Sequence, residues 1–228
     1  MHLISDKLRD STNTFAKEIQ ALLNGTIASH VQIKAVALPT RGGDRLFALG
    51  HLINRHTMTA ERFPLKPRAP KTELWMDVSY QLKLDNEGEH LMVKQSFFGV
   101  FGSKDAKEGL FHYDYERNKP DNYPDAHLQV YGRSEMFLAL NDPRVDSGRC
   151  MAQLHFPVGG KRFRPCLEDV IEFLAVERLV QTRDGYEKVL QSGRDGFRRR
   201  QLLAAMRRDP EAVEVFVDRY GLPGAVSN

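Results

Sequence analysis

The strongest constraint on the fold is an eleven-residue segment in which apolar and polar side chains alternate. From Leu74 to Leu84 every even-numbered residue is apolar, and after Trp75 every odd-numbered residue is polar. A period of two is that of a β-strand with one buried face. Residues 85–88 read Asp-Asn-Glu-Gly, which predicts a tight turn, so we expect a return strand over about 90–101. This hairpin indicates antiparallel pairing.

Further strands are predicted on both sides of this hairpin. The segment 46–54 fits either a helix or a strand. Prolines at positions 64, 67 and 70 favour extended backbone, so we interpret 63–70 as a linker or surface loop. Short, β-rich segments predict strands over 31–38, 109–116, 126–131, 137–140 and 150–156. Consecutive strands with short loops favour a meander rather than βαβ units.

Helical periodicity is confined to the two ends of the chain. Residues 4–23 carry apolar side chains at helical spacing. Near the C-terminus we predict helices that begin at Pro165, run over 194–208, and begin again at Pro210 after an Asp209 N-cap. The predicted class is α+β: an N-terminal helix, an antiparallel sheet of about five or six strands, and C-terminal helices. We assign residues 1–182 to this domain and 183–228 to a basic helical appendage.

Composition excludes several classes of protein. No apolar run approaches the roughly 18 residues that span a bilayer, and the N-terminus lacks the pattern of a secretory signal. We therefore expect a cytoplasmic protein without membrane contact. Cys150 and Cys166 form no metal-binding motif, so both are predicted to be buried, and no cofactor or metal is expected.

Basic charge is concentrated near the C-terminus. Residues 183–208 hold eight basic and three acidic side chains, a net charge of +5, whereas the whole chain carries +3. A local basic patch favours an anionic partner such as RNA, DNA or an acidic protein. The candidate partner-binding residues are Arg194, Arg198, Arg199 and Arg200. The alternative is a solvated charged helix face.

The strongest candidate for chemistry is a polar face on two predicted strands. Alternation places His112, Asp114 and Glu116 on one side of the first strand, and His127 and Gln129 on one side of the second. Two histidines on neighbouring strands would suit a general base and a general acid, with Asp114 orienting one of them. The alternatives are a solvated or merely hydrogen-bonded face, and a metal site formed by two histidines and a carboxylate.

A turn rich in glycine and basic residues precedes the predicted helix at Pro165. It contains Gly159 and Gly160, followed by Lys161, Arg162 and Arg164. Backbone N–H groups at a helix start attract anions, so these three basic residues are candidate anion-binding residues. The alternative is a turn with solvated basic tips. His155, on the preceding strand, is interpreted as a hydrogen-bonded core residue.

Three motifs within about residues 105–175 resemble the TumE-type toxins of bacterial toxin–antitoxin pairs. They are Phe111-His112-Tyr113-Asp114, the loop 118–127 that ends in histidine, and Arg-Pro-Cys-Leu-Glu-Asp-Val at 164–170. This chain has a single histidine at the loop end and is longer than those proteins. The resemblance implies a small intracellular protein that acts on RNA or is neutralised by an antitoxin-like partner.

Two functions are therefore predicted from the sequence. The first is a metal-independent, RNase-like toxin with His112 and His127 as the acid–base pair. The second is a non-enzymatic module that binds a protein or nucleic acid through its basic helix.

Overall fold

A computed structural model describes residues 2–39, 45–118, 124–132, 154–160 and 164–221. Its helices are α1 (His2–Thr26), α2 (Leu167–Val176), α3 (Tyr186–Met206) and α4 (Pro210–Tyr220). Its strands are β1 (Ile33–Leu38), β2 (Leu46–His51), β3 (Phe63–Leu65), β4 (Leu74–Leu84), β5 (Leu91–Phe101), β6 (Phe111–Glu116), β7 (Ala126–Val130) and β8 (Phe156–Pro157).

The strands form a single antiparallel sheet in the order β1-β2-β4-β5-β6-β7-β8, with β3 also paired to β4. From β4 to β8 each strand pairs with the next along the chain, which is the predicted meander. The α+β class is therefore confirmed. Within the residues that the structure describes, the sheet has eight strands, more than the predicted five or six, because residues 46–51 form a strand and β3 was not expected.

The proline-rich segment shows why β3 was missed. Phe63 and Leu65 are buried, whereas Pro64 between them is exposed. Because β4 is eleven residues long, one of its edges pairs with β2 at Ser79–Leu82 and still leaves Leu74–Met76 for β3. Proline is tolerated in a strand at the edge of a sheet, because its missing N–H is not needed there by a neighbouring strand.

The described helices that contribute to the core lie on one face of the sheet. The even-numbered residues of β4 pack there against α1, α2 and the first half of α3. Phe15 of α1, for example, meets Tyr80 edge-to-face, with ring centroids 5.1 Å apart. We call this side the helical face of the sheet and the opposite side the outer face.

Part of the outer face is covered by the chain itself. Val36, Ala48 and Ile53 form a small second cluster with Leu38 and Met58, next to β1 and β2. Gly50 permits this close approach, because a Cβ at that position would collide with the Cβ of Ala60. The outer face of β4 to β7 carries the polar side chains on which the functional predictions depend.

Helix boundaries agree with some sequence signals and correct others. Asp209 caps α4, since its carboxylate accepts a hydrogen bond from the Ala212 N–H at 3.0 Å. The predicted helix start at Pro165 was wrong: α2 begins at Leu167, with Cys166 as its N-cap. The Cys166 N–H donates to the Asp169 carboxylate at 2.9 Å, which is the reason for the later start. Cys166 is buried, as predicted.

Other predictions fall wholly or partly outside the described residues. The strand predicted at 137–140 and Cys150 are in this group, and the strand predicted at 150–156 is described only from residue 154 onward. The domain division at residue 182 stays a prediction. Leu190 of the predicted appendage is buried in the main core. None of the described helices has the length and apolar character needed to cross a bilayer.

Candidate functional site

The register of β6 and β7 brings both histidines to the outer face. Asp114 pairs directly with His127, and His112 pairs with Gln129. Directly opposed residues share a face, and so do residues two apart on one strand. His112, Asp114 and His127 are therefore neighbours, as the alternation predicts. Phe111 and Tyr113 point the other way and pack against the main core.

The three side chains are close but not tightly hydrogen-bonded to one another. The rings of His112 and His127 have centroids 6.2 Å apart. His127 Nε2 lies 3.9 Å from Asp114 Oδ2, which is an electrostatic contact longer than a hydrogen bond. His127 Nδ1 is buried and makes no hydrogen bond of good geometry with any described residue.

Aromatic rings pack around the histidine pair. Phe97 lies 5.0 Å from the His112 ring and Tyr131 lies 5.7 Å from it. Gly99 stands directly across from His112, and a Cβ there would come within 2.6 Å of the Phe97 ring. Gly99 therefore leaves room for Phe97 beside His112. His112 is 7% exposed and His127 is 3% exposed.

His155 belongs to this cluster, although the sequence analysis placed it in the core. Its ring centroid lies 4.5 Å from that of His127. The cause is the pairing of Pro157 with His127, which brings the residue two positions earlier to the same face. The sequence pattern alone does not tell which face of the sheet His155 occupies, because β8 is only two residues long and shows no repeat.

Burial controls the charge of both histidines. It lowers the pKa of His112 below its usual value, against the opposing effect of the Asp114 carboxylate. It also lowers the pKa of His127, where Asp114 again opposes the shift and His155 adds to it. Both imidazoles are thus mainly neutral at neutral pH.

A second carboxylate, which is partly buried, lies on the same face, two strands away. Asp77 pairs with Gly99, which in turn pairs with His112. Burial raises the pKa of Asp77 to about 6, and the positive charge of Arg62 opposes this shift. Asp77 Oδ1 is buried without a hydrogen-bond partner in the described part of the chain.

Arg164, a predicted anion-binding residue, does not join the histidines. Its guanidinium lies 4.0 Å above the ring of Tyr115, and the residue is 7% exposed. Tyr115 alternates with Asp114, so it points to the helical face and the sheet separates Arg164 from the site. This corrects its predicted role beside the acid–base pair. Lys161 and Arg162 lie outside the described residues.

The four predicted partner-binding arginines divide into two groups. Arg194 is buried, with Nε 2.9 Å from Asp169 and Nη2 2.7 Å from Glu172. It holds α3 against α2, which corrects its predicted place on a binding surface. Arg198, Arg199 and Arg200 are exposed, and Arg200 lies 3.8 Å from Glu18.

The alternative of a metal site finds no support in the geometry. Within the ranges the structure describes, no three histidine, cysteine or acidic side chains are arranged to hold one ion.

Comparisons of this chain with models of protein families, with curated proteins and with solved structures found no match. The resemblance to TumE-type toxins stays a prediction.

Proposed function

We propose that this protein is a metal-independent ribonuclease whose acid–base pair is His112 and His127. One observation carries the proposal: two histidines and a carboxylate meet on one sheet face, with 6.2 Å between the imidazole centroids. Histidine is the side chain best suited to exchange protons near neutral pH.

The chemistry needs one neutral and one protonated imidazole. The neutral ring takes the proton from a ribose 2′ hydroxyl, whose oxygen attacks the adjacent phosphorus. The protonated ring donates its proton to the departing 5′ oxygen, and a cyclic phosphate is left. Asp114 acts as a positioning residue, because its charge favours the protonated form of a neighbouring imidazole. Lys161 and Arg162 remain the proposed phosphate contacts.

Access is part of the proposal, since both histidines are almost fully buried. Among the described residues, Phe97, Tyr131 and His155 pack against their rings. RNA must therefore displace such neighbours to reach the imidazoles. If these neighbours never move aside, His112 and His127 have only a structural role. An activity assay distinguishes the two cases.

The direct test is RNA cleavage by purified protein in the presence of EDTA. We expect cleavage by the wild type and a loss of at least about 100-fold in the His112→Ala/His127→Ala variant. The matched control is His56→Ala/His90→Ala, which removes two exposed histidines and should keep full activity. Equal activity in both variants would refute the assignment.

A second, non-enzymatic function is favoured by the exposure of three consecutive arginines. Arg198, Arg199 and Arg200 could contact an acidic protein or the phosphates of a nucleic acid. Such binding should weaken with added salt and with reversal of these three charges. Salt-independent binding would exclude this surface.

A further inference from the structure

One carboxylate oxygen of Asp77 is buried on the outer face without a hydrogen-bond donor in the described part of the chain. Leaving such an oxygen without a donor costs free energy, and a ligand that brings its own donors would recover that cost. The side chain as a whole is only partly buried, so part of its surface is open to a ligand. Asp77 therefore has the properties of a residue that accepts hydrogen bonds from a bound molecule.

The basic side chain that acts on Asp77 is held by other contacts. Arg62 opposes the effect of burial on Asp77 through its positive charge. Its guanidinium, however, donates hydrogen bonds to the carbonyl oxygens of Lys104 at 3.0 Å and Ala106 at 2.8 Å. It also lies 3.3 Å from the centroid of the Phe101 ring. Arg62 thus balances part of the negative charge and still leaves Asp77 Oδ1 without a donor.

Asp77 and His112 lie in one row across three neighbouring strands. Gly99, in the strand between them, pairs with Asp77 on one side and with His112 on the other. Two strand spacings, about 10 Å, therefore separate the backbones of Asp77 and His112. A single nucleotide covers a distance of this order between the edge of its base and its ribose and phosphate.

The space above Gly99 accepts a flat ring. A Cβ at position 99 would lie 2.6 Å from the Phe97 ring and 2.7 Å from the Phe101 ring. Arg62 stacks on the Phe101 ring, whereas Phe97 is partly exposed. The Phe97 ring also lies 5.0 Å from the ring of His112. A base that reached the acid–base pair would thus displace Phe97, take its place over Gly99, and offer its outer face to the displaced ring for stacking.

We propose that the substrate of this site is single-stranded RNA and that the site selects guanine on the 5′ side of the cleaved bond. The base lies over Gly99, its Watson–Crick edge meets Asp77, and its ribose places the 2′ hydroxyl at the histidine pair. We call the position formed by Asp77, Phe97 and Gly99 the guanine site. This inference rests on the proposed ribonuclease activity, because it assigns the nucleotide that the reaction uses.

A carboxylate selects guanine because it only accepts hydrogen bonds. Guanine presents two adjacent donors, N1–H and the N2 amino group, which match the two oxygens of Asp77. Adenine and cytosine have an acceptor beside their amino group, and uracil has its one N–H between two acceptors. Each of these three bases would therefore set a lone pair against the carboxylate. A base in a duplex already uses its Watson–Crick edge, so only unpaired RNA fits.

The first experiment measures by calorimetry the binding of the four ribonucleoside 3′-monophosphates at about pH 7.5, where Asp77 is ionised. We expect the wild type to bind the guanosine nucleotide at least about 10-fold more tightly than the other three. Asp77→Asn should lose this preference, because its amide N–H groups oppose the donors of guanine. Asp105→Asn, at an exposed position, is the matched control and should keep the preference.

Three results would overturn the proposal. They are equal binding of all four nucleotides by the wild type, binding of none of them, and a guanine preference that survives Asp77→Asn. A folding defect does not imitate the expected result, because Asp77→Asn removes a buried charge and should leave the weaker binding of the other three nucleotides unchanged.

Cleavage of two dinucleotides in EDTA separates this inference from the ribonuclease proposal. We expect kcat/KM of the wild type to be at least about 10-fold higher for GpU than for ApU, and Asp77→Asn to cleave both at similar rates. Equal cleavage of GpU and ApU by the wild type would refute the guanine site and leave the acid–base pair untouched. Selective binding of the guanosine nucleotide without cleavage of any RNA would support the guanine site and refute only the reaction.

Discussion

At the residue scale, the two histidines owe their properties to the position of their strands in the sheet. β6 and β7 are interior to the meander, and the rings of His112 and His127 are buried among aromatic neighbours. Burial lowers both pKa values, while Asp114 limits the shift. The position of the two strands thus determines both the surroundings of the imidazoles and the direction in which their pKa values shift.

The proposed mechanism, combined with these directions, predicts how cleavage should depend on pH. One ring must be protonated, and both pKa values lie below the usual 6.5. We expect a bell-shaped profile of kcat/KM with its maximum below about pH 6.5. Asp114→Asn should move the basic limb to still lower pH, because the lost carboxylate favoured protonation. Activity that rises steadily through about pH 8 would contradict the assignment.

Asp77 provides a prediction about stability. Its pKa of about 6 in the folded protein exceeds the usual 3.8, so the folded state binds the proton more tightly than the unfolded state. The free energy of unfolding therefore falls as the pH rises from 3.8 to about 6. Above about pH 6 the whole destabilisation caused by the buried charge is present. A shift of this size corresponds to about 2–3 kcal/mol.

Replacing Asp77 with asparagine should remove that cost. By urea denaturation at about pH 8, Asp77→Asn should be more stable than the wild type by about 1–3 kcal/mol, and by less at about pH 5. Asp105→Asn, at an exposed position in a nearby loop, is the control and should change little. An equal gain at both pH values would show that the carboxylate charge is not the cause.

At the element scale, α3 is held to α2 by an ion pair and by a close helix crossing. Arg194 reaches two carboxylates of α2, whereas Arg198, one turn later, is exposed. Arg194→Met should lower the free energy of unfolding by about 1–3 kcal/mol, because Asp169 and Glu172 lose their partner. The loss stays moderate because both carboxylates are partly exposed to water. Arg198→Met should stay within about 0.5 kcal/mol of the wild type. Comparable losses in the two variants would argue against a specific ion pair.

The close packing of α3 against α2 depends on Gly193. A Cβ there would collide with Glu168 Oε1 and lie 3.1 Å from Glu168 Cδ, and Glu168 is buried. Alanine normally stabilises a helix by about 1 kcal/mol relative to glycine. We expect Gly193→Ala to destabilise the protein instead, by about 1–2 kcal/mol, through overpacking.

Gly196, in the same helix, is the matched control for this crossing. A Cβ there would meet only Arg200 side-chain atoms at 3.7 Å or more. Gly196→Ala should therefore stabilise the protein, as measured by thermal unfolding. Stabilisation by both substitutions would refute the close crossing at Gly193.

At the scale of the whole molecule, patterns with a clear period predicted the structure well. Alternation over Leu74–Leu84 predicts the central strand, and the polar face of His112 and His127 follows from the same rule. Caps such as Asp209 are local, so they could also be predicted.

The predictions that were wrong concern features that depend on contacts between residues distant in sequence. Phe63–Leu65 is a strand only because β4 offers it a free edge. His155 reaches the site through a two-residue pairing too short to show a period. Arg164 and Arg194 were taken for surface residues, but their partners, Tyr115, Asp169 and Glu172, come from other elements. A basic side chain gives no sign in sequence that it is stacked or paired.

The most direct test of the central claim is to identify the ends of RNA fragments produced in EDTA. Acid–base cleavage by His112 and His127 predicts fragments that end in a 2′,3′-cyclic phosphate, and it predicts their loss in the His112→Ala/His127→Ala variant. Fragments with free 3′ hydroxyl ends, or no cleavage at any pH between about 5 and 8, would contradict it.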